Sequence, residues 1–216
     1  MSITTEGPPP PRQPGAPIVA LSTLFLAAWS LLVSASPHAF FVVAPPFCAA
    51  WIAVCTCAAP AGLRDRLRPR TADVALGLCA GLALYAATRL FLWGACGGLT
   101  DVLCRPMVEM YVRFRTQAVW PAIALGFLVA PAEELFWRGV VQAHLARRLG
   151  RAAAVGLATA LAVGVALASG EPFLALATLP TYAAWGALAA WRGSLVPAIA
   201  SHALWSVLVA SVAPPV

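Results

Sequence analysis

The sequence predicts an all-α, polytopic membrane helical bundle of about seven transmembrane helices, and three observations carry that expectation. Of 216 residues, 61% are hydrophobic and only 10% are charged, against roughly 25% charged in soluble domains. The apolar residues gather in seven stretches, each close to the about 20 residues that a helix needs to cross a hydrocarbon core. Short loops separate them, which predicts a single transmembrane domain over 18–213 and leaves no room for a second.

Taken in order, residues 1–17 carry Pro8-Pro9-Pro10-Pro11 and no apolar run, so they read as a disordered, Pro-rich tail and not as a cleavable signal peptide. The first apolar run, Ile18 to Ala35, is long enough to span and to stay as an anchor. The spans are expected at 18–36, 40–62, 72–95, 118–142, 152–169, 172–191 and 194–212, with Pro45-Pro46 kinking or shortening the second. Between spans three and four, Asp101 to Gln117 mixes Arg105, Glu109, Arg113 and Arg115 with Leu, Met, Val, Tyr and Phe. It is too charged to span and reads as an interfacial helix or a lid-like loop, with Pro106 suited to a first helical turn. No internal repeat is visible, which argues against a duplicated transporter architecture.

All fourteen basic residues are Arg, against eight acidic ones, giving a net charge of +6, and the excess lies in loops rather than in one patch, so nucleic acid is not an expected partner. Arg64, Arg66, Arg68 and Arg70 follow span two; Arg147, Arg148 and Arg151 follow span four; Arg192 follows span six. For seven spans these loops share one side. The positive-inside rule makes that side the cytoplasm, with the N-terminus cytoplasmic and the C-terminus outside. Arg89, near the outer end of span three, is expected to snorkel to the headgroups, and His144 to lie at the interface beside Arg147 and Arg148. The six cysteines sit mostly in apolar stretches, where Cys behaves as a small hydrophobe. Cys55 and Cys57 point roughly 200° apart on a helix, wrong for chelation or a mutual disulfide. Cys96 and Cys104, flanking a turn, are the one pair to test as a disulfide.

The stretch most suggestive of chemistry is Glu133-Glu134-Leu135-Phe136-Trp137-Arg138, three ionisable groups within an apolar span. Charge at bilayer depth costs at least several kcal/mol unless it is paired, hydrated or turned inward, so such a cluster reads as a functional site. On a helix Glu134 and Arg138 stand about 40° apart and can pair, whereas Glu133 faces elsewhere and is free to act. The blander reading is a packed ion network. His202 is the second ionisable group at depth, and residue counting from the arginine-rich side places it level with Glu133. The pair is therefore expected to share a site, although a lone His in an apolar helix is more often a hydrogen-bonded core residue.

With EELFWRG in one span and Arg192-Gly193-Ser194-Leu195-Val196-Pro197-Ala198-Ile199-Ala200-Ser201-His202 in another, the chain resembles the CPBP family of intramembrane proteases. That family includes CAAX prenyl endopeptidases and bacterial abortive-infection-type proteins, and the resemblance covers 118–212. It implies a glutamic-type protease in a bacterial-type inner (plasma) membrane, with no required metal or cofactor. It also implies a membrane-anchored protein or peptide substrate, cut in its C-terminal region near the membrane. By the resemblance Glu133 is the general base on water, Glu134 and Arg138 orient it, His202 stabilises the oxyanion, and water arrives by a path from the cytoplasm. Two departures stand out. Leu167 occupies the place where the family's FxxxH motif puts a second His, and Ser206 replaces an Asn four residues beyond the late His, keeping a hydroxyl that can support substrate or oxyanion. The missing His leaves open a catalytically degenerate relative that acts as a partner-binding scaffold. A small proton-coupled carrier relaying through Glu133 and Glu134 is the reading from another class.

Overall fold

The computed structural model describes residues 16–34, 37–57, 61–98, 101–116 and 118–212. The expected tail falls outside them, apart from Ala16 and Pro17, which open the first helix. The helices run α1 (Ala16–Ser34), α2 (Pro37–Cys57), α3 (Ala61–Arg66), α4 (Thr71–Gly98) and α5 (Asp101–Phe114). They continue with α6 (Val119–Leu149), α7 (Arg151–Ala168), α8 (Pro172–Arg192) and α9 (Val196–Val212). No strand occurs among the described residues, so the fold is the expected all-α bundle. Four helices, α4, α6, α7 and α8, are long and apolar enough to cross a membrane; Thr23–Leu32, Phe40–Thr56 and Val196–Val212 are shorter apolar helices.

The structure corrects several details. Helix α2 is not shortened by Pro45-Pro46 but continues through them. Pro106 lies inside α5, past its first turn. The helix of the fourth expected span does not stop near 142 but continues to Leu149, so His144 and Arg147 lie on one helix, with Arg147 3.3 Å from the His144 ring. Arg89 contacts the Tyr85 hydroxyl at 3.5 Å.

Helix α6 is irregular where the sequence makes it so. Pro131 has no N–H to donate to Phe127, and its ring crowds the preceding turn. The backbone absorbs this in a wider π-helical turn over Leu125–Val129, and a second one follows over Leu135–Val141. Single π-helical turns frequently mark functional sites. Between the two stands Ala130–Glu134.

Helix α9 is held by close approach. A Cβ on Gly77 of α4 would lie 2.5 Å from the Pro197 carbonyl oxygen, and one on Gly81 2.9 Å from that of Ser201. The Gly77-x-x-x-Gly81 pair thus works as a small-residue seam, the device that lets membrane helices touch backbone to backbone. At the same end Arg192 Nε donates to Asp73 at 2.8 Å. The Leu195 N–H donates to the Arg66 carbonyl at 2.9 Å, and Arg151 reaches the Ala190 carbonyl at 3.5 Å. The arginine-rich segments therefore gather at one end of the bundle. At the other end the Thr116 N–H donates to the Ala210 carbonyl at 2.8 Å. Arg113 pairs with Glu171, and a Cys96–Cys104 disulfide ties α4 to α5. An aromatic core of Phe25, Trp29, Phe40, Trp51 and Phe136 packs α1 and α2 against α6.

Replacing Gly77 with Val forces α4 and α9 apart. Overpacking of this kind costs roughly 1–3 kcal/mol or more, and thermal unfolding in detergent is expected to show a lower midpoint for Gly77→Val than for Gly62→Val, whose site has open space around it.

Candidate active site

Three helices bring their side chains together in the bundle's interior. Helix α6 contributes Glu133, Glu134 and Arg138, which are 7%, 0% and 2% exposed, and α9 contributes His202 at 4%. Arg138 Nη1 donates to Glu134 Oε1 at 2.9 Å, and its Nη2 donates to the Tyr182 carbonyl of α8 at 2.8 Å. The guanidinium also lies over the Tyr182 ring, 4.5 Å from its centroid. Such a planar fork suits a site where one cation must fill several directions at once. Glu134 accepts a second bond, from His202 Nδ1 at 2.9 Å. The other ring nitrogen of His202, Nε2, stands 3.4 Å from Glu133 Oε2. Tyr182 donates its hydroxyl to Glu133 Oε1 at 2.9 Å.

These contacts fix the tautomer of His202. A carboxylate held by a guanidinium can only accept, so the proton facing Glu134 belongs to Nδ1. Nε2 is then the nitrogen left toward Glu133. The imidazole is clamped by Trp185, whose ring stacks on it at 3.8 Å between centroids and 13° between planes. Trp185 is held in turn by donating Nε1–H to Ser201 Oγ at 3.1 Å. Each of the four expected residues is therefore within bonding reach of another, with Glu133 and His202 facing each other.

Tyr182 and Trp185 were not among the residues the sequence singled out. The available signal was a tyrosine at mid-depth in an apolar span, since a buried phenol needs a hydrogen-bond partner. Pro180 marks the same stretch of α8: it deprives a carbonyl of its helical partner, while the Thr178 and Thr181 hydroxyls donate to the carbonyls of Leu174 and Ala177 at 2.8 Å each.

A cavity of about 200 Å³ adjoins Glu133 and His202 and is lined mostly by apolar side chains. Ser206, one turn beyond His202, lines it as well. Leu167 does not: it is 55% exposed, and the face of α7 turned to the cavity carries Ala162, Val165, Ala166 and Ser169. The phenol of Tyr182 reaches the cavity from α8. The cavity has a direction within the bundle. It runs along the first half of α6, the end of α7, the start of α8 and the end of α9, away from the arginine-rich end. That end is plugged by Leu63, Leu135, Trp185, Leu195 and Ala198 in one packed cluster. Among the described residues no group of three or more His, Cys, Asp or Glu is spaced to hold a metal ion.

The apolar helices make this an integral membrane protein, with a buried Glu–Glu–Arg–His cluster beside a cavity. Residues 107–208 match the family described as Type II CAAX prenyl endopeptidase Rce1-like, so this stretch of the chain is CAAX-protease-like. No curated protein and no solved structure matches the chain. The match covers every residue of the cluster, including Tyr182.

Removing Arg138 leaves Glu134 without its cation in the dry interior. Breaking a buried pair from one side costs about 3–5 kcal/mol, so Arg138→Met is expected to lower the unfolding midpoint in detergent sharply. Pairing it with Glu134→Gln is expected to recover a measurable part of the loss.

Proposed function

We propose that this protein is a glutamic-type intramembrane endopeptidase in which Glu133 activates water. The observation that supports it most is the pair of contacts on Glu133: one carboxylate oxygen receives Tyr182 and the other faces His202, at the edge of a cavity. With Glu134 balanced by Arg138, the two remaining groups, Glu133 and His202, reach neutrality together by sharing a proton or by charging oppositely. Such a pair can take and return a proton without leaving net charge in the bilayer.

In the proposed reaction Glu133 takes a proton from a water as its oxygen bonds to the scissile carbonyl carbon. The negative charge moves to the carbonyl oxygen, where the Tyr182 hydroxyl and a protonated His202 Nε2 donate to it. The carbon–nitrogen bond then breaks as Glu133 hands its proton to the departing amide nitrogen. One peptide becomes a carboxylic acid and an amine, and the site returns to its starting charge. Glu134 and Arg138 touch no reacting atom in this scheme; they hold His202 and Tyr182 in place. The substrate is a membrane-anchored protein or peptide, and Ser206 lines the cavity within reach of its backbone. The site is read as working in an inner (plasma) membrane.

A second reading, a catalytically degenerate relative that binds a partner, draws on Leu167, which stands where the family resemblance calls for a His. The test separates the two. Purified protein given CAAX-type and other C-terminal tail peptides is expected to cleave at least one. Glu133→Gln should cut the rate about 10²- to 10⁴-fold. Tyr182→Phe, which keeps the ring and its packing, should cut it about 10²-fold through kcat. A wild type that cleaves none of the tails but co-purifies with one stable partner supports the scaffold.

A further inference from the structure

The cavity has a direction, and two features at its ends bear on what reaches it. At one end Arg64, Arg66, Arg68, Arg147, Arg148, Arg151 and Arg192 collect around the loops after α2, α6 and α8. That end is shut by the apolar cluster around Leu135 and Leu195, and by hydrogen bonds from Leu195 and Ser194 to the Arg66 carbonyl at 2.9 and 3.3 Å. At the other end the cavity passes between Ser30, Phe40 and Ser169, under the α5 side chains Met110, Tyr111 and Phe114. Burial pushes the Tyr111 phenol up to about 12, so it stays neutral there. The Cys96–Cys104 disulfide lies at this same end, holding the start of α5 to the end of α4.

Positive-inside bias assigns the arginine-rich, closed end to the cytoplasm. Disulfides persist in oxidising compartments and are rare where cytosolic thiols are kept reduced, which assigns the α5 end to the opposite face. The two arguments are independent and agree. The lining adds chemistry: among the described residues it holds no charged side chain apart from Glu133 and His202, and no Arg there lines it to receive a free carboxylate or another anion. Its volume of about 200 Å³ compares with the about 150 Å³ that takes one benzene ring. That is room for one or two apolar side chains of an unwound chain, not for a packed helix.

We propose that the site is served from the extracytoplasmic face, and that it takes a locally unwound, uncharged apolar stretch of a membrane-anchored protein displayed on that face. This rests on the proteolytic reading for its chemistry, but its sidedness stands on the arginine distribution, the disulfide and the end of the bundle that the cavity reaches. In this arrangement Met110, Tyr111 and Phe114 of α5 line the cavity at the served end.

The experiment has two arms. In the first, Cys48, Cys55, Cys57 and Cys79 are replaced by Ala, keeping the disulfide, and Ser169→Cys or Arg148→Cys is added. A membrane-impermeant maleimide is applied to spheroplasts of a bacterial expression host. Ser169→Cys is expected to label in intact spheroplasts and Arg148→Cys only after permeabilisation; the reverse pattern overturns the assignment whether or not the protein cleaves anything. In the second arm, single-span reporters carry the same apolar juxtamembrane stretch on either the outer or the inner face. Cleavage that is lost on Glu133→Gln is expected for the outer reporter only, and to fall at least tenfold when an Asp and an Arg are placed in the stretch. Cleavage confined to the inner reporter overturns the proposal. Cleavage of neither, with labelling as expected, overturns the apolar-stretch assignment and counts against the proteolytic reading, while the sidedness stands.

Discussion

A guanidinium sunk between two helices is the constraint on which the rest of this bundle depends. Arg138 cannot shed its charge and cannot reach water, so every direction of its fork must be met by protein. Glu134 meets it on its own helix, the Tyr182 carbonyl meets it on α8, and the Tyr182 ring lies beneath it. The ion pair is costly in itself, since desolvation offsets most of what attraction supplies. What it provides is registry. Sliding α8 against α6 by even one residue would strand the cation, and with α8 fixed, Tyr182 and Trp185 are delivered to Glu133 and His202.

The cluster also explains a division of labour between adjacent glutamates. Glu134 is fully buried and its Oε1 carries both Arg138 and the Nδ1 side of His202, so that oxygen is occupied. Glu133 keeps only a phenol and a more distant ring nitrogen, and it borders open space. Neighbouring positions on a helix point to different faces, so one carboxylate is taken up by the ion pair and the other borders the cavity. The π-helical turns on either side of them give α6 the latitude to aim both.

Much of this was legible in the residues. Spacing alone paired Glu134 with Arg138, and depth counting set His202 level with Glu133, because a helix advances by a fixed rise. The arginine pattern gathered the loops that the structure joins through Arg66, Leu195 and Arg151. What escaped was whatever depends on contact between helices distant in sequence. Tyr182 looks like any aromatic residue of an apolar span until α8 is laid against α6. The direction of the cavity depends on which end of the bundle is plugged, a fact of packing around Leu135 and Leu195. The inner face of α7, which carries Ala162, Val165 and Ala166, could not be read either, since an evenly apolar helix carries no marker of its inner side. Prolines misled as well: in α2 and α5 the helices run through Pro45, Pro46 and Pro106, whose effects neighbouring turns can absorb.

The glycine seam between α4 and α9 has a bearing on how the centre responds to its surroundings. Side chains facing lipid are free to change rotamer, and α4 presents many of them, among them Leu78, Leu82 and Leu90. Where it meets α9, however, the helix offers bare main chain at Gly77 and Gly81, which has no rotamers to change. The imidazole on α9 is therefore referenced to a stiff rail rather than to a soft cushion.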